Sequence, residues 1–246
     1  MISNNELKYI QSFAHKKHWA EESVFIVEGP KMLEELLASN WVIRKIIALP
    51  DWIQAQGSLP AELVEVDEIM LGRLSLLQSP NKVMAIVEKK QELEPLLYNG
   101  NSTLLLDGIQ DPGNLGTIIR TADWFGIDQI VVSEDTAGLY NPKVIQSTMG
   151  SCFRVKMRSM DLETLLQSNA KSTNKLPVYG ALLKGKSMHE MKWEPSNFIL
   201  IGNESKGIRE NLLSFISHPI SIPKTGEAES LNAAVATGII LANAKA

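Results

Sequence analysis

Unbroken apolar runs of strand length alternate along the chain with longer stretches whose apolar positions recur every three or four residues. Residues 4–20 show the second pattern, with Leu7, Ile10, Phe13 and Ala14 on one stripe, and are predicted as a single helix. Strands are predicted at 24–29, 42–49, 63–66 and 83–87, with helices over 30–39 and from Asp67 onward. This makes a small α/β domain of residues 1–90. The charged run Glu88-Lys89-Lys90-Gln91-Glu92 has no apolar period and leads to Pro95, so 91–100 is predicted as a linker. Beyond it strands at 104–107, 129–132, 153–155, 178–181, 198–202 and 219–223 alternate with helices entered near Asn114, Lys143 and Leu162. The last element is an alanine-rich helix for which Ser230 is the predicted N-cap, its hydroxyl accepting from a backbone N–H one turn ahead. Such alternation implies a parallel sheet over 101–246.

Three of these strands run into polar turns. Leu104-Leu105-Leu106-Asp107 leads to Asp111-Pro112-Gly113-Asn114 and a helix with Leu115, Ile118, Ile119 and Ala122 inward. Phe198-Ile199-Leu200-Ile201 leads to Gly202-Asn203-Glu204-Ser205-Lys206-Gly207, and Ile220-Ser221-Ile222 leads to Pro223 and on to Ser230-Leu231-Asn232. In an open parallel sheet these turns lie at the carboxyl edge, where ligands bind. Two rival cofactor chemistries fail on spacing. Gly108 and Gly113 have the span of a phosphate-binding loop, but Asn114 and Leu115 stand where Lys and Ser or Thr are required. No G-x-G-x-x-G follows a strand, so a dinucleotide fingerprint is absent as well.

Asn114-Leu115-Gly116-Thr117-Ile118-Ile119-Arg120-Thr121-Ala122, Gly202-Asn203-Glu204-Ser205-Lys206-Gly207-Ile208, and Ile222-Pro223 through Ser230-Leu231-Asn232 resemble, in order and spacing, the three motifs of the SpoU (TrmH) family of RNA ribose 2′-O-methyltransferases. Asn141-Pro142-Lys143-Val144 resembles the family's segment between the first two motifs. The likeness spans residues 100–246. It implies an α/β fold with a C-terminal trefoil knot, a homodimer, and S-adenosylmethionine (AdoMet) as methyl donor. By the same resemblance Asn114, Arg120, Glu204, Ser230 and Asn232 line the junction of cofactor and RNA. Leu183, Ile201, Gly202, Ile222, Leu231 and Ala233 flank the cofactor, Gly202, Ile222 and Leu231 through main-chain groups, with Gly202 allowing close approach. The family's general base is often placed at the position of Arg120. A guanidinium keeps its proton at neutral pH, so we expect Arg120 to hold a phosphate and stabilise the developing alkoxide instead. Glu204 is expected either to orient Arg120 or to shape the cofactor turn, and Asn114 and Asn232 either to bond RNA or to hold the loops. Residues 1–90 resemble the ribosomal-protein-L30e-like substrate-binding domain that often precedes such a catalytic domain, with Phe25-Ile26-Val27-Glu28-Gly29 as its first strand and turn.

Composition adds limits. At 246 residues with 44% hydrophobic and 21% charged positions, this is an ordinary globular chain. The polar start shows no secretory signal and no run reaches transmembrane length, so a cytoplasmic protein without membrane contact is expected. Cys152 is the only cysteine, and His15 and His18 lack further ligands, so no disulfide or metal is expected. A net charge of −4 means that RNA must be held by a local basic patch, for which Lys16, Lys17, Lys143 and Arg154 are the candidates. The expected function is AdoMet-dependent methylation of a ribose 2′-hydroxyl, in ribosomal RNA before transfer RNA. The alternative is a noncatalytic RNA-binding module on the same fold.

Overall fold

The computed structural model describes residues 2–90 and 101–245. They form two compact units, 2–90 with 138–153, and 101–137 with 154–245. The linker expected at 91–100 lies outside the described residues.

The first unit opens with α1 (Asn4–Ser12) and α2 (Lys16–Glu21), followed by β1 (Val24–Glu28), α3 (Pro30–Leu37), β2 (Ile43–Ala48), α4 (Pro50–Gln54), β3 (Glu62–Glu65), α5 (Glu68–Leu74) and β4 (Val83–Glu88). The sheet order is β1-β4-β2-β3, antiparallel except for the β2–β3 pair. The single helix expected over 4–20 is therefore two. At ~100° per residue, Trp19 on an unbroken helix would point opposite to the stripe of Leu7, Ile10 and Phe13. A break at His15, in extended conformation, turns Trp19 into the core with those three, and Ala14 is left exposed. Every residue of β1 is buried, and so is Glu28 at its end. Its carboxylate accepts from Ser75 Oγ at 2.5 Å and Leu76 N at 2.8 Å. Burial pushes its pKa up, against the lowering effect of those two bonds.

The second unit contains β5 (Ser102–Leu106), α6 (Pro112–Trp124), β6 (Gln129–Val132), β7 (Lys156–Ser159), α8 (Leu162–Lys171), β8 (Val178–Ser187), β9 (Asn197–Ile201), α9 (Glu210–Leu213), β10 (His218–Ser221) and α10 (Ala233–Ala244). All pairs of its six-stranded sheet, ordered β10-β8-β9-β5-β6-β7, are parallel, as expected. The inner strands β5, β6 and β9 are buried throughout, as strands covered on both faces must be. Polar β7 and proline-bearing β10 stand at the edges, where a missing or unpaired N–H is tolerated. β8 pairs with β10 at Tyr179 and Gly180 and again at Lys186 and Ser187, so the residues between bulge from the ladder. The strand expected at 178–181 is for this reason longer. α10 packs on α6.

Between β6 and β7 lies α7 (Pro142–Ser147), whose residues belong to the first unit. Trp41 Nε1 donates to Phe153 O at 3.1 Å, and Phe25 meets Tyr140 with ring centroids 5.1 Å apart. Gly150 holds φ +97°, and a Cβ there would lie 2.6 Å from Glu35 Cγ, so only glycine fits. The strand expected at 153–155 is instead a 3-10 turn, Ser151–Phe153, with the strand starting at Lys156. Cys152 and Phe153 are apolar because they join this core, not because they are sheet.

Candidate active site

The start of α6 is well specified. Asp111 accepts from Asn114 N at 2.8 Å and Pro112 takes the first turn, where its missing N–H costs nothing. This fixes Asn114 at the carboxyl edge, and its side chain joins the other two polar turns. Asn114 Nδ2 donates to Glu204 Oε1 at 2.6 Å, and Asn114 Oδ1 accepts from Asn232 Nδ2 at 3.0 Å. The oxygen of Asn232 accepts from Ala234 N at 2.9 Å and Val235 N at 3.3 Å, capping α10. A carboxylate can only accept, so Glu204 sets the orientation of the Asn114 amide and, through it, that of Asn232. Asn232, not Ser230, is thus the N-cap. Both residue types cap well, but Asn carries its donor and its acceptor on separate atoms, so Nδ2 reaches Asn114 while Oδ1 caps the helix.

The turn carrying Glu204 is closed on itself. Asn203 N donates to Gly207 O at 3.1 Å and Gly207 N returns to Asn203 O at 2.8 Å. Asn203 Oδ1 accepts from Ser205 N at 2.9 Å and Lys206 N at 3.2 Å, while its Nδ2 donates to Gly108 O at 2.8 Å. A Cβ on Gly202 would collide with the backbone of Gly207 and Ile208. Glycine at 202 is thus required by the turn's own closure, independently of the close cofactor approach that the resemblance implies.

Arg120 lies six residues beyond Asn114, about 9 Å along the helix axis. It is exposed, has no hydrogen bond or ion pair among the described residues, and does not meet Glu204. The Glu204 carboxylate bonds Asn114 instead, joining its turn to the one before α6. Ser230 is exposed in the segment before α10. Leu183, in the β8 bulge, is 80% exposed and Leu231 44% exposed. Ile222 is half-buried, whereas Ile201 and Ala233 lie in the core and can reach a ligand only through main-chain atoms. Large apolar side chains left in solvent beside polar turns suit a ligand with an apolar body and a few polar groups, as AdoMet is.

Of the basic candidates, Lys16, Lys17 and Lys143 are exposed and belong to the first unit. Arg154 belongs to the second, where it is engaged by Asp123, Nη2 to Oδ2 at 2.8 Å. Exposed Lys186 near the end of β8, and Lys206 and Lys224 on segments leaving β9 and β10, are not among the residues expected from the sequence. They sit in no lysine cluster along the chain, and only the fold brings their strands together. A cavity of about 150 Å³ lined by Ser133, Glu134, Asp135, Asp161, Leu162 and Arg209 holds none of the expected residues. There Ser133, and after it Arg209, hold the Asp135 carboxyl below the usual range. Among the described residues no group of three or more His, Cys, Asp or Glu could hold a metal ion.

Known proteins resemble this chain over nearly its whole length. The 23S rRNA (guanosine(2553)-2′-O)-methyltransferase of Bacillus subtilis is 29% identical over 97% of this chain and 95% of its own. A TrmH-family protein from Porphyromonas gingivalis described as an RNA methyltransferase superposes with a TM-score of 0.90 at 34% identity, covering 100% of this chain and 98% of that one. The AdoMet-bound rRNA methyltransferase from Sinorhizobium meliloti superposes with a TM-score of 0.84 at 28% identity, covering 99% and 95%. Residues 4–85 match the model of the MRM3-like substrate binding domain. Residues 101–242, which hold Asn114, Glu204 and Asn232, match that of the SpoU rRNA methylase family, and the chain belongs to that family.

Proposed function

We propose that this protein transfers the methyl group of AdoMet to a ribose 2′-hydroxyl of ribosomal RNA. The observation that carries the reading is the chain of bonds from Glu204 through Asn114 to Asn232, which gathers the three motif turns at one point of the carboxyl edge. AdoMet supplies an already electrophilic methyl group. The protein must then hold the ribose oxygen in line and help one proton leave. Asn114 and Asn232, with both amides oriented, fix the loops that meet donor and acceptor. Arg120, exposed and without a partner among the described residues, can bind an RNA phosphate and stabilise the developing alkoxide. Exposed Leu183 and Leu231 receive the apolar part of the donor, and main-chain groups near Gly202 and Ile222 its polar part. Lys16, Lys17 and Lys143 of the first unit hold the RNA backbone. The reading includes the C-terminal trefoil knot that the family likeness implies.

A homodimer is part of this proposal. α10 has no charged side chain in its twelve residues, yet Val235 is 52% exposed, and Trp124 at the end of α6 is 84% exposed. A helix apolar on every side is normally covered on every side. A second copy seated on α6 and α10 would cover these residues, and light scattering of the purified protein reads the mass directly.

The functional test is transfer of labelled methyl from AdoMet to total RNA from cells lacking the gene, followed by size separation and nuclease mapping. Label at a 2′-O position of large rRNA is expected. Label confined to the tRNA fraction would move the substrate, and AdoMet binding without transfer to any RNA would favour the noncatalytic module.

A further inference from the structure

The turn that carries Glu204 is fastened at both ends by one residue of another strand. Asp107, directly after β5, donates its backbone N–H to Ile201 O at 2.9 Å, where the turn begins. Its carboxylate receives Arg209 N at 2.8 Å and Arg209 Nε at 2.6 Å, where the turn ends, and Arg209 Nη2 lies 2.5 Å from Oδ1. Between these points Asn203 Nδ2 reaches Gly108 O, the next residue along. The Asp107 side chain is 1% exposed and that of Arg209 47%. Buried carboxylates need a partner, and a guanidinium with a main-chain N–H beside it offers this one a matched set of donors. The group most affected by the arrangement is Glu204. Its 2.6 Å bond to Asn114 requires a turn held in place from both sides.

We propose that Asp107 and Arg209 are positioning residues for methyl transfer, clamping the turn of residues 202–209 so that Glu204 meets Asn114. The proposal rests on the methyl-transfer reading above, and in it both residues act through Glu204 rather than on the reactants. If Arg209 acts through Glu204, its loss moves the turn and not the charge at the reacting atoms. It should therefore lower kcat while leaving KM for RNA, which is held by other residues, nearly unchanged.

The test uses the full-length chain with R209Q, R209K, E204A and the E204A/R209Q pair. R209Q is expected to lose on the order of 10²-fold in kcat, as displaced reacting groups do, with KM for RNA within about twofold of the parent. In the E204A background, where no acceptor is left for Asn114, the same change should cost nothing more, because what the clamp positions is already gone. R209K keeps a cation beside Asp107 but lacks the fork, so it should fold as the parent does and lose an intermediate amount. It carries the test should R209Q not fold. Losses that multiply in the double variant, or that fall on KM alone, would overturn the proposal. Hydrogen exchange provides a readout independent of activity. The amides of Ser205, Lys206 and Gly207 should exchange faster in R209Q and R209K than in the parent, and unchanged exchange would count against the clamp. An inactive parent would overturn the methyl-transfer reading alone, and exchange would still decide whether the pair holds the turn.

Discussion

Asn232 Nδ2 donates to Asn114 Oδ1 at 3.0 Å across 118 positions of sequence, while its own oxygen caps α10. One side chain thus both starts a helix and ties that helix to the turn before α6. Asn232→Asp separates the two tasks, because a carboxylate caps as well as an amide but has nothing to donate. Its melting temperature should stay near the parent's while methyl transfer falls at least tenfold. Asn232→Ala should lose the cap as well, about 1 kcal/mol. Parent-like transfer by the Asp variant would show that the link is idle.

Arg120→Ala should leave the fold unchanged, within about 0.5 kcal/mol, since an exposed side chain without partners supports no neighbour. Methyl transfer should fall by about 10³-fold if the guanidinium stabilises charge at the acceptor oxygen. Chemical denaturation and the labelled-methyl assay check the two halves separately, and full activity would remove Arg120 from the mechanism.

Glu28 titrates above its ordinary value near 4.5 because burial disfavours its charged form. The folded chain therefore holds this proton at pH values where the unfolded chain has released it. Stability from this group is complete below the unfolded value and is lost as pH rises through the folded one. Glu28→Gln removes the titration and retains an acceptor for Leu76 N. Its stability should match or exceed the parent's at pH 8, the gap closing toward pH 4.5. Denaturation curves at both pH values measure it, and a gap that widens on acidification would reverse the sign.

Replacing Lys16 and Lys17 by Gln should weaken RNA binding and lower the slope of log K against log salt by about 1 for each phosphate no longer neutralised. AdoMet affinity should stay unchanged, since these lysines belong to the other unit. Calorimetry with each ligand separates the two effects. An unchanged salt slope would remove both lysines from the RNA interface.

The inner sheet of the second unit was legible because Leu104 to Leu106, Ile130 to Val132 and Phe198 to Ile201 are unbroken apolar runs, which parallel packing demands. Asn114, Glu204 and Asn232 were legible as chemistry, since each stands in a polar turn after such a run. The break at His15 was not, because residues on both sides form helix well and only the need to bury Trp19 decides the matter. Ser230 and Asn232 are equally good caps, so only the partner across the turn distinguishes them. The pairing of Asp107 with Arg209 spans 102 positions and leaves no local mark.

The chain passes between its two units three times, once between residues 90 and 101, again at 137–138 and again at 153–154. A sequence boundary drawn at residue 100 therefore cuts through a shared core. A fragment beginning at residue 101 would keep Val144, Ile145 and Phe153 but lose Phe25, Glu35 and Trp41, against which their segment is folded. It would carry a sticky arm, and clumping of such a fragment would report this exposed arm and say nothing about methylation. The same threading limits domain exchange between relatives. A transplanted N-terminal domain must arrive with a matching segment of residues 138–153, so inheritance favours the two parts changing together.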